Sequence, residues 1–216
     1  MNSYFKLTCN LALLCLGLNT YGQETPKNIY LGASAGFSQL SDQTSTVNSE
    51  LTNAVGGTSQ SSQNNGAAAY RLFGGILLNK YIAVELGYAQ TANQTLTFSG
   101  ISALNTNYSG SFNASYSGAD LGLVLHPVQL PVFKYVFIDL GATQYKEKQL
   151  GNVSTSLGGY SQSQNQSGMG KFYGLGYDLP MGASTDLRFS LNHYDSIGGD
   201  SALKSNLASV GVTRRF

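Results

Sequence analysis

The clearest periodic stretch of the chain is YIAVELGYAQT, residues 81–91. Large apolar side chains hold one set of alternate positions and small or charged side chains the other: Ile82, Val84, Leu86 and Tyr88 against Ala83, Glu85, Gly87 and Ala89. A period of two places these sets on opposite faces of a β-strand. The stretch therefore predicts a strand with two unlike faces, one of which carries a charge.

Seven other segments alternate in the same way, and the linkers between the segments are short and long in turn. We predict strands at about 28–38, 67–78, 81–91, 111–125, 133–146, 168–179, 185–194 and from about 205 to 216. The long linkers are about 39–65, 92–110, 147–167 and 195–204. An even number of strands, with tight turns at one end and long loops at the other, is typical of outer-membrane barrels. The sequence predicts an all-β fold, an eight-stranded antiparallel up-and-down transmembrane β-barrel.

The composition and the first residues agree with an exported membrane protein. Only 11% of the 216 residues are charged and the net charge is +1, whereas soluble domains carry about 25% charged residues; we therefore expect no nucleic-acid partner. Lys6, the apolar run 7–18 and the small residue Gly22 have the pattern of a secretory signal. We predict a signal peptide over residues 1–22 and a barrel domain over 23–216. Cys9 and Cys15 both fall in the signal, so the barrel domain has no thiol to bind a metal.

The distribution of charge decides which face of the strands points outward. The ionisable side chains lie opposite the apolar stripe: Arg71, Glu85, Asp120, Asp139, Asp178 and Arg188. The interior of an eight-stranded barrel has room only for side chains, and ions buried there must pair with one another. The apolar face then needs lipid around it. We therefore predict an outer-membrane location, lipid as the surrounding partner, and these six residues as a polar cluster inside the barrel.

Two stretches resemble known families. The tail VGVTRRF, residues 210–216, is similar to the C-terminal insertion signal of bacterial outer-membrane barrels. That resemblance implies recognition by the barrel-assembly machinery through the alternate positions Val210, Val212, Arg214 and Phe216, although Arg214 stands where an aromatic residue is more usual. The stretch FGGILLNKYIAVELGY, residues 73–88, resembles a hairpin of the outer membrane protein A family, and LG after Asp120 or Asp139 and GLGYD at 174–178 echo later strands. The chain looks like a barrel-only member, near the opacity-type surface proteins.

The resemblance also implies a role for two of the interior residues. In that family an inward Glu of the third strand pairs with an Arg of the seventh, and Glu85 and Arg188 hold the matching positions. The remaining interior positions depart from the family, because Asp120, Asp139 and Asp178 stand where the family mixes bases with acids. Arg71 can offset one of them. The other acids are expected to bond to hydroxyl groups or to take up a proton.

Three functions follow as hypotheses. The first is a non-enzymatic structural and surface role without cofactor or metal, with adhesion to host surface molecules through the loops. Residues 41–65 and 150–168 are rich in Ser, Gln, Asn and Gly, so we predict mobile hydrophilic loops that cannot fold by themselves. The second is a narrow ion-conducting pore at Glu85 and Arg188.

The third hypothesis is an enzyme of the lipid A deacylase type. Such barrels use a lipid-facing His and a Ser two residues on; here His193 is predicted to face lipid, but Asp195 takes the place of the Ser. A position among the aromatic residues at the outer membrane interface explains His193 better than an enzymatic role does. His126 lies in a predicted turn with no partner identified from the sequence. We predict no catalytic residue.

Overall fold

The computed structural model describes residues 28–127, 133–156 and 158–216. Ten strands are formed: β1 (Ile29–Leu40), β2 (Thr58–Asn64), β3 (Gly66–Leu77), β4 (Ile82–Thr91), β5 (Gln94–Ile101), β6 (Asn107–Leu125), β7 (Val136–Thr155), β8 (Gly158–Pro180), β9 (Thr185–Asp195) and β10 (Lys204–Arg215). One α-helix, α1 (Thr44–Val55), follows β1, and a short 3₁₀ helix (Ile197–Gly199) follows β9. The predicted signal peptide and most of the predicted turn at 126–131 lie outside the described residues.

Eight of the strands close into an antiparallel barrel, as the sequence predicts. The order around the barrel is β1, β3, β4, β6, β7, β8, β9 and β10, and β10 pairs with β1 to close it. A row of paired residues that starts at Lys204 in β10 passes through every strand and returns to β10 at Arg214. The strands are therefore staggered and inclined to the barrel axis. Tight turns join them at one end, where the Asn79 side chain accepts the Tyr81 and Ile82 N–H groups at 2.8 and 3.0 Å.

The two faces of the barrel strands point as predicted. Leu86 is 61% exposed, whereas the next inward residue, Glu85, is 3% exposed. The outward apolar side chains form a band that surrounds the barrel: Leu31, Leu72, Leu86, Leu121, Leu140, Leu175, Leu191 and Val212. Such a band requires lipid around it. In outer-membrane barrels the tight turns lie at the periplasmic end and the longer connections at the extracellular end, and we name the two ends of this barrel accordingly.

Two apolar layers fill the barrel above and below its charged middle. The layer near the periplasmic end consists of Tyr30, Phe73, Ala83, Val124 and Phe137. The layer near the extracellular end is larger and includes Tyr116, Tyr145, Phe172, Tyr194 and Leu207. Ile197 of the 3₁₀ helix is 3% exposed and belongs to that layer, so the loop between β9 and β10 folds inward over the barrel mouth.

The extracellular segments contain regular secondary structure, and the prediction of loops at 41–65 and 150–168 is wrong. Strand β5 extends the sheet beyond the barrel by pairing with the upper part of β6, and β2 pairs with β5. Strands β7 and β8 continue as a long hairpin through the predicted third loop. The upper parts of β6, β7 and β8, together with β2 and β5, form a five-stranded wall that we call the extracellular sheet. Backbone pairing between neighbouring strands orders segments whose side chains alone give no periodic signal.

Helix α1 packs on the inner face of the extracellular sheet. Val47 and Leu51, one turn apart, contact a cluster formed by Leu96, Phe98 and Tyr108. At its start the Thr44 N–H donates to Asp42 Oδ1 at 2.9 Å, and this bond lowers the pKa of the Asp42 carboxyl group. None of the helices in the described ranges is both long enough and apolar enough to cross a membrane.

Candidate functional site

The charged middle of the barrel begins at Arg71 on β3. Its Nη1 donates to Glu85 Oε1 at 2.6 Å, and its Nε donates to Asp120 Oδ2 at 3.0 Å. Nη2 makes a further ion pair with Asp120 Oδ1. Gly87 lies between the partners, and a Cβ atom there would be 2.6 Å from Asp120 Oδ1. A glycine at this inward position therefore leaves the room that the Arg71–Asp120 pair occupies.

Arg188 on β9 continues the network from the other side of Glu85. Its Nη1 donates to Glu85 Oε2 at 2.7 Å, and its Nε and Nη2 bind the two oxygens of Asp178 at 2.8 and 2.9 Å. The Tyr30 hydroxyl also donates to Glu85 Oε2, at 2.9 Å. The guanidinium group lies 4.6 Å from the centre of the Phe137 ring, a cation–π contact that joins the charged layer to the apolar layer below it.

The structure thus brings the six predicted interior residues into one layer. Five form a chain of alternating charge: Asp120, Arg71, Glu85, Arg188 and Asp178. All five are at most 8% exposed. Asp139 is buried apart from them and accepts the Asn192 side-chain amide at 2.6 Å. Its other oxygen has no hydrogen-bond partner among the described residues.

Several partners in the interior were not singled out from the sequence. Asn192 and Asp186 share the inward parity of Arg188, and Asp186 forms an ion pair with Arg215. Glu147, on β7, is 1% exposed and accepts the Tyr116 hydroxyl at 3.0 Å. His126 reaches the network, with Nε2 3.9 Å from Asp178 Oδ2. The alternation of inward and outward positions along each strand could have identified these residues as inward. Only the register between strands shows which of them are in contact.

The charged layer leaves almost no open space. A cavity of about 10 Å³ lies between Arg71, Asp139, Arg188 and Asn192, which is about the space that one water molecule needs. The two apolar layers cover it from above and below. This arrangement can hold the charges in place, and among the described residues its cavity has room for about one water molecule rather than for a row of ions.

His193 faces outward at the extracellular edge of the apolar band, as predicted. Its Nδ1 lies 2.8 Å from Asn206 Oδ1, and its ring lies 5.1 Å from that of Tyr173. Asp195 is occupied by ion pairs with Lys171 at 3.4 Å and Lys204 at 3.9 Å. No hydrogen bond to a hydroxyl group is found for His193 within the described residues. No group of three His, Cys, Asp or Glu side chains that could hold a metal occurs in residues 28–127, 133–156 and 158–216.

The predicted insertion signal forms the end of β10. Val210 and Val212 point outward into the apolar band. The Phe216 N–H donates to the Ile29 carbonyl at 2.8 Å, which ties the last residue to the first strand. The Arg214 guanidinium lies 6.0 Å from the Phe216 ring. Recognition of these four positions by the barrel-assembly machinery stays a prediction.

Solved structures with similar chain paths are bacterial outer-membrane proteins. The attachment invasion locus protein Ail of Yersinia pestis, solved with the heparin analogue sucrose octasulfate, is 15% identical, with a TM-score of 0.44 over 88% of this chain and 99% of that one. The N-terminal β-barrel domain of OprF from Pseudomonas aeruginosa is 12% identical, with a TM-score of 0.40 over 88% and 98%. OprG from the same organism is 10% identical, with a TM-score of 0.39 over 88% and 96%.

At these identities and TM-scores, the alignments carry no argument about function. Comparison with curated protein sequences finds no match. The model of the outer membrane protein beta-barrel domain family matches residues 9–216, which is nearly the whole chain. The protein therefore belongs to the outer membrane protein beta-barrel domain family and is located in the bacterial outer membrane.

Proposed function

We propose that this protein is a closed, non-enzymatic barrel that holds the extracellular sheet rigidly at the cell surface. The observation that carries the proposal is the filled interior: one cavity of about 10 Å³ lies in the charged layer, between two apolar layers. A ten-residue stagger around eight strands leaves an interior that side chains fill. Such a barrel contributes to the envelope as a stable membrane anchor rather than as a channel.

The rigidity of the barrel depends on the contacts of Glu85. Its two oxygens accept from Arg71, Arg188 and Tyr30, which lie on three different strands. Opening a path through this layer would separate buried charges from their partners, and each unpaired ion would cost several kcal/mol. The energy of such an opening argues against the alternative of a narrow pore at Glu85 and Arg188.

Planar-bilayer recording tests the closed state. We expect the reconstituted protein to give no steady single-channel current, while a porin inserted under the same conditions conducts. A variant that combines Arg71→Ser with Arg188→Ser removes both cations and provides the opened control, once its heat-modifiable migration on gels shows that it has folded. Large, regular conductance steps from the unaltered protein would refute closure and favour the pore.

The proposed role at the cell surface rests on the regular structure of the extracellular sheet. The extracellular sheet has a defined inner cluster under α1 and exposes Thr97, Ser99, Ser109 and Ser154 on its outer side. Adhesion to surface molecules of a host through this sheet is the corresponding functional hypothesis. Binding of labelled host-cell membranes by cells that carry the protein tests it, with a deletion of residues 147–167 that removes the upper hairpin as the contrast. Equal binding by both forms would contradict it.

The absence of enzymatic activity is part of the same proposal. His193 bonds to an amide oxygen rather than to a hydroxyl group, and Asp195 lies between two lysines. A deacylase needs a nucleophile that its base can activate. Mass spectrometry of lipid A from cells with and without the protein should give identical acylation patterns, and loss of an acyl chain that depends on His193 would show the enzyme instead.

A further inference from the structure

The lysines of the extracellular half lie on one side of the barrel. Within the described residues, they are Lys146 and Lys148 on β7, Lys171 on β8 and Lys204 on β10, and all four side chains are exposed on the outer surface. The other described lysines, Lys80 and Lys134, belong to the periplasmic end. Asp195 on β9 pairs with Lys171 and Lys204. These four lysines and one acid leave an excess of positive charge, which we call the basic rim.

The strands β1, β3 and β4 carry no outward lysine or arginine at the height of the basic rim. Their outward residues near the extracellular end are Gln39, Ala68 and Gln90. The two remaining basic side chains of the extracellular and middle regions, Arg71 and Arg188, are buried in the interior network. The basic rim is therefore confined to the sector formed by β7, β8, β9 and β10.

An apolar groove of about 640 Å³ lies below the basic rim, on the strands of this sector and on the adjoining strand β1. Small residues form its floor, because Ala35 on β1 and Ala208 on β10 stand where neighbouring positions carry large side chains. Its walls include Phe37, Leu175, Phe189 and Leu191. All of these residues point outward within the apolar band, so the groove opens toward the hydrocarbon of the membrane.

Two polar side chains, His193 and Asn206, lie between the groove and the basic rim. Ala208 lies four residues from Lys204 on β10, and Leu191 lies four residues from Asp195 on β9. Four residues span about 13 Å along a strand, and the tilt of the strands reduces this to about 10 Å along the membrane normal, which lies within the outer half of a hydrocarbon layer of about 30 Å. His193 and Asn206, hydrogen-bonded at 2.8 Å, lie midway. A lipid of the outer leaflet whose acyl chain filled the groove would therefore place its headgroup at the lysines.

We propose that this sector binds a phosphorylated lipid of the outer leaflet that carries two phosphate groups, the chemistry of lipid A. Strands β7 and β10 are three strand spacings apart, about 14 Å, so the four lysines cover more width than a single phosphate can occupy. Ammonium groups bind phosphate oxygens through charge-assisted hydrogen bonds. The groove accepts an acyl chain, and the lysines select for the phosphorylated headgroup. This assignment goes beyond the closed-barrel function and does not depend on it.

Competition between lipids tests the assignment. The full protein in detergent is mixed with lipid A, dephosphorylated lipid A and phosphatidylglycerol at equal concentrations, and the bound lipids are counted by native mass spectrometry. We expect lipid A to be retained over both competitors. Changing Lys146, Lys148, Lys171 and Lys204 to Gln together should reduce that preference at least about tenfold, since each lysine near an anionic surface contributes about fivefold.

Two matched controls separate the sector from general effects. The variant Lys80→Gln with Lys134→Gln removes charge at the periplasmic end and should keep the preference for lipid A. Ala208→Leu fills the groove and should lower retention of all three lipids, whereas Ala119→Leu on the outward face of β6 should not. Heat-modifiable migration on gels verifies folding of every variant. Equal retention of lipid A and phosphatidylglycerol by the unaltered protein, or an unchanged preference in the four-lysine variant, would overturn the proposal.

Discussion

Strand β6 keeps one alternation of inward and outward residues over its whole length, but the polarity of its two faces is exchanged between the membrane half and the extracellular half. In the membrane half, Leu121 and Leu123 point outward and Asp120 points inward. In the extracellular half, Tyr108 is buried inward while Ser109 points outward. The environment explains the reversal, because lipid surrounds the outer face below and water surrounds it above. The position at which the pattern inverts, near residues 113–117, therefore marks the outer boundary of the membrane on this strand.

The same comparison distinguishes the two interiors. The barrel buries charge and holds it with paired ions, while the extracellular sheet buries Leu96, Phe98 and Tyr108 under α1. Paired ions inside the barrel fix which strands face each other, because Arg71 joins Glu85 to Asp120 and Arg188 joins Glu85 to Asp178. The apolar cluster above needs only a covering element. We therefore expect the two regions to respond differently to substitution.

The largest difference should come from the removal of Arg188. Arg188→Met leaves Glu85 and Asp178 buried without this cation, which should lower the free energy of unfolding by about 3–5 kcal/mol. Unfolding by urea in lipid vesicles, followed by heat-modifiable migration on gels, measures the change. The control Lys171→Met breaks only the exposed pair with Asp195 and should cost less than about 1 kcal/mol. A loss from Arg188→Met no larger than that of the control would contradict a structural role for the network.

The next prediction tests the exchange of polarity along β6. Leu121→Arg places a charge against lipid and should cost about 2–4 kcal/mol near the midplane of the membrane. Ser109→Arg changes an outward residue of the same strand above the membrane and should alter stability by less than about 0.5 kcal/mol. Both variants are compared in the same urea assay. Similar costs for the two would mean that lipid does not end between these positions.

A smaller and local effect is expected from Phe98 in the extracellular sheet. Phe98→Ala removes the ring that contacts Tyr108 and Phe112 and should weaken the cluster by about 2 kcal/mol, less than in a fully enclosed core. Hydrogen exchange should then become faster in β2, β5 and α1, while the barrel strands keep their protection. Thr97→Ala, on the outer face, is the matched control. Loss of protection throughout the barrel would show that the two regions unfold as one unit.

The eight barrel strands were predictable because each meets lipid on one side and packed side chains on the other. Glu85 and Arg188 could be placed inside by parity, and the turn at Asn79 follows from its side chain. Strand β2 was not predictable, since TSQSSQN at 58–64 carries hydroxyl and amide groups on both faces and forms because β5 offers it a free edge. Helix α1 was missed for a related reason: Val47 and Leu51 contribute few apolar contacts, and these exist only once β5 and β6 have paired.

The inward partners show a second limit of the sequence. Asn192 beside Asp139 and Tyr116 beside Glu147 have the correct parity, but their contacts cross strands that are 53 and 31 residues apart in the chain. The relative shift of the strands decides such contacts, and alternation alone does not fix it. The third long loop illustrates the same point, because residues 147–167 extend the hairpin of β7 and β8 through backbone pairing.

The smallest expected effect concerns the start of α1, where the extracellular region uses an exposed charge. The Asp42 carboxylate accepts the Thr44 N–H and has a lowered pKa in the folded state. A lowered pKa contributes stability above the unfolded value of about 4 and loses it as pH falls through the folded value. Asp42→Asn removes this titration while it keeps an oxygen acceptor. Hydrogen exchange in α1 should therefore differ between the two proteins at pH 6, and the difference should shrink at pH 3. A difference of the same size at both pH values would mean that the charge of Asp42 does not hold the helix start.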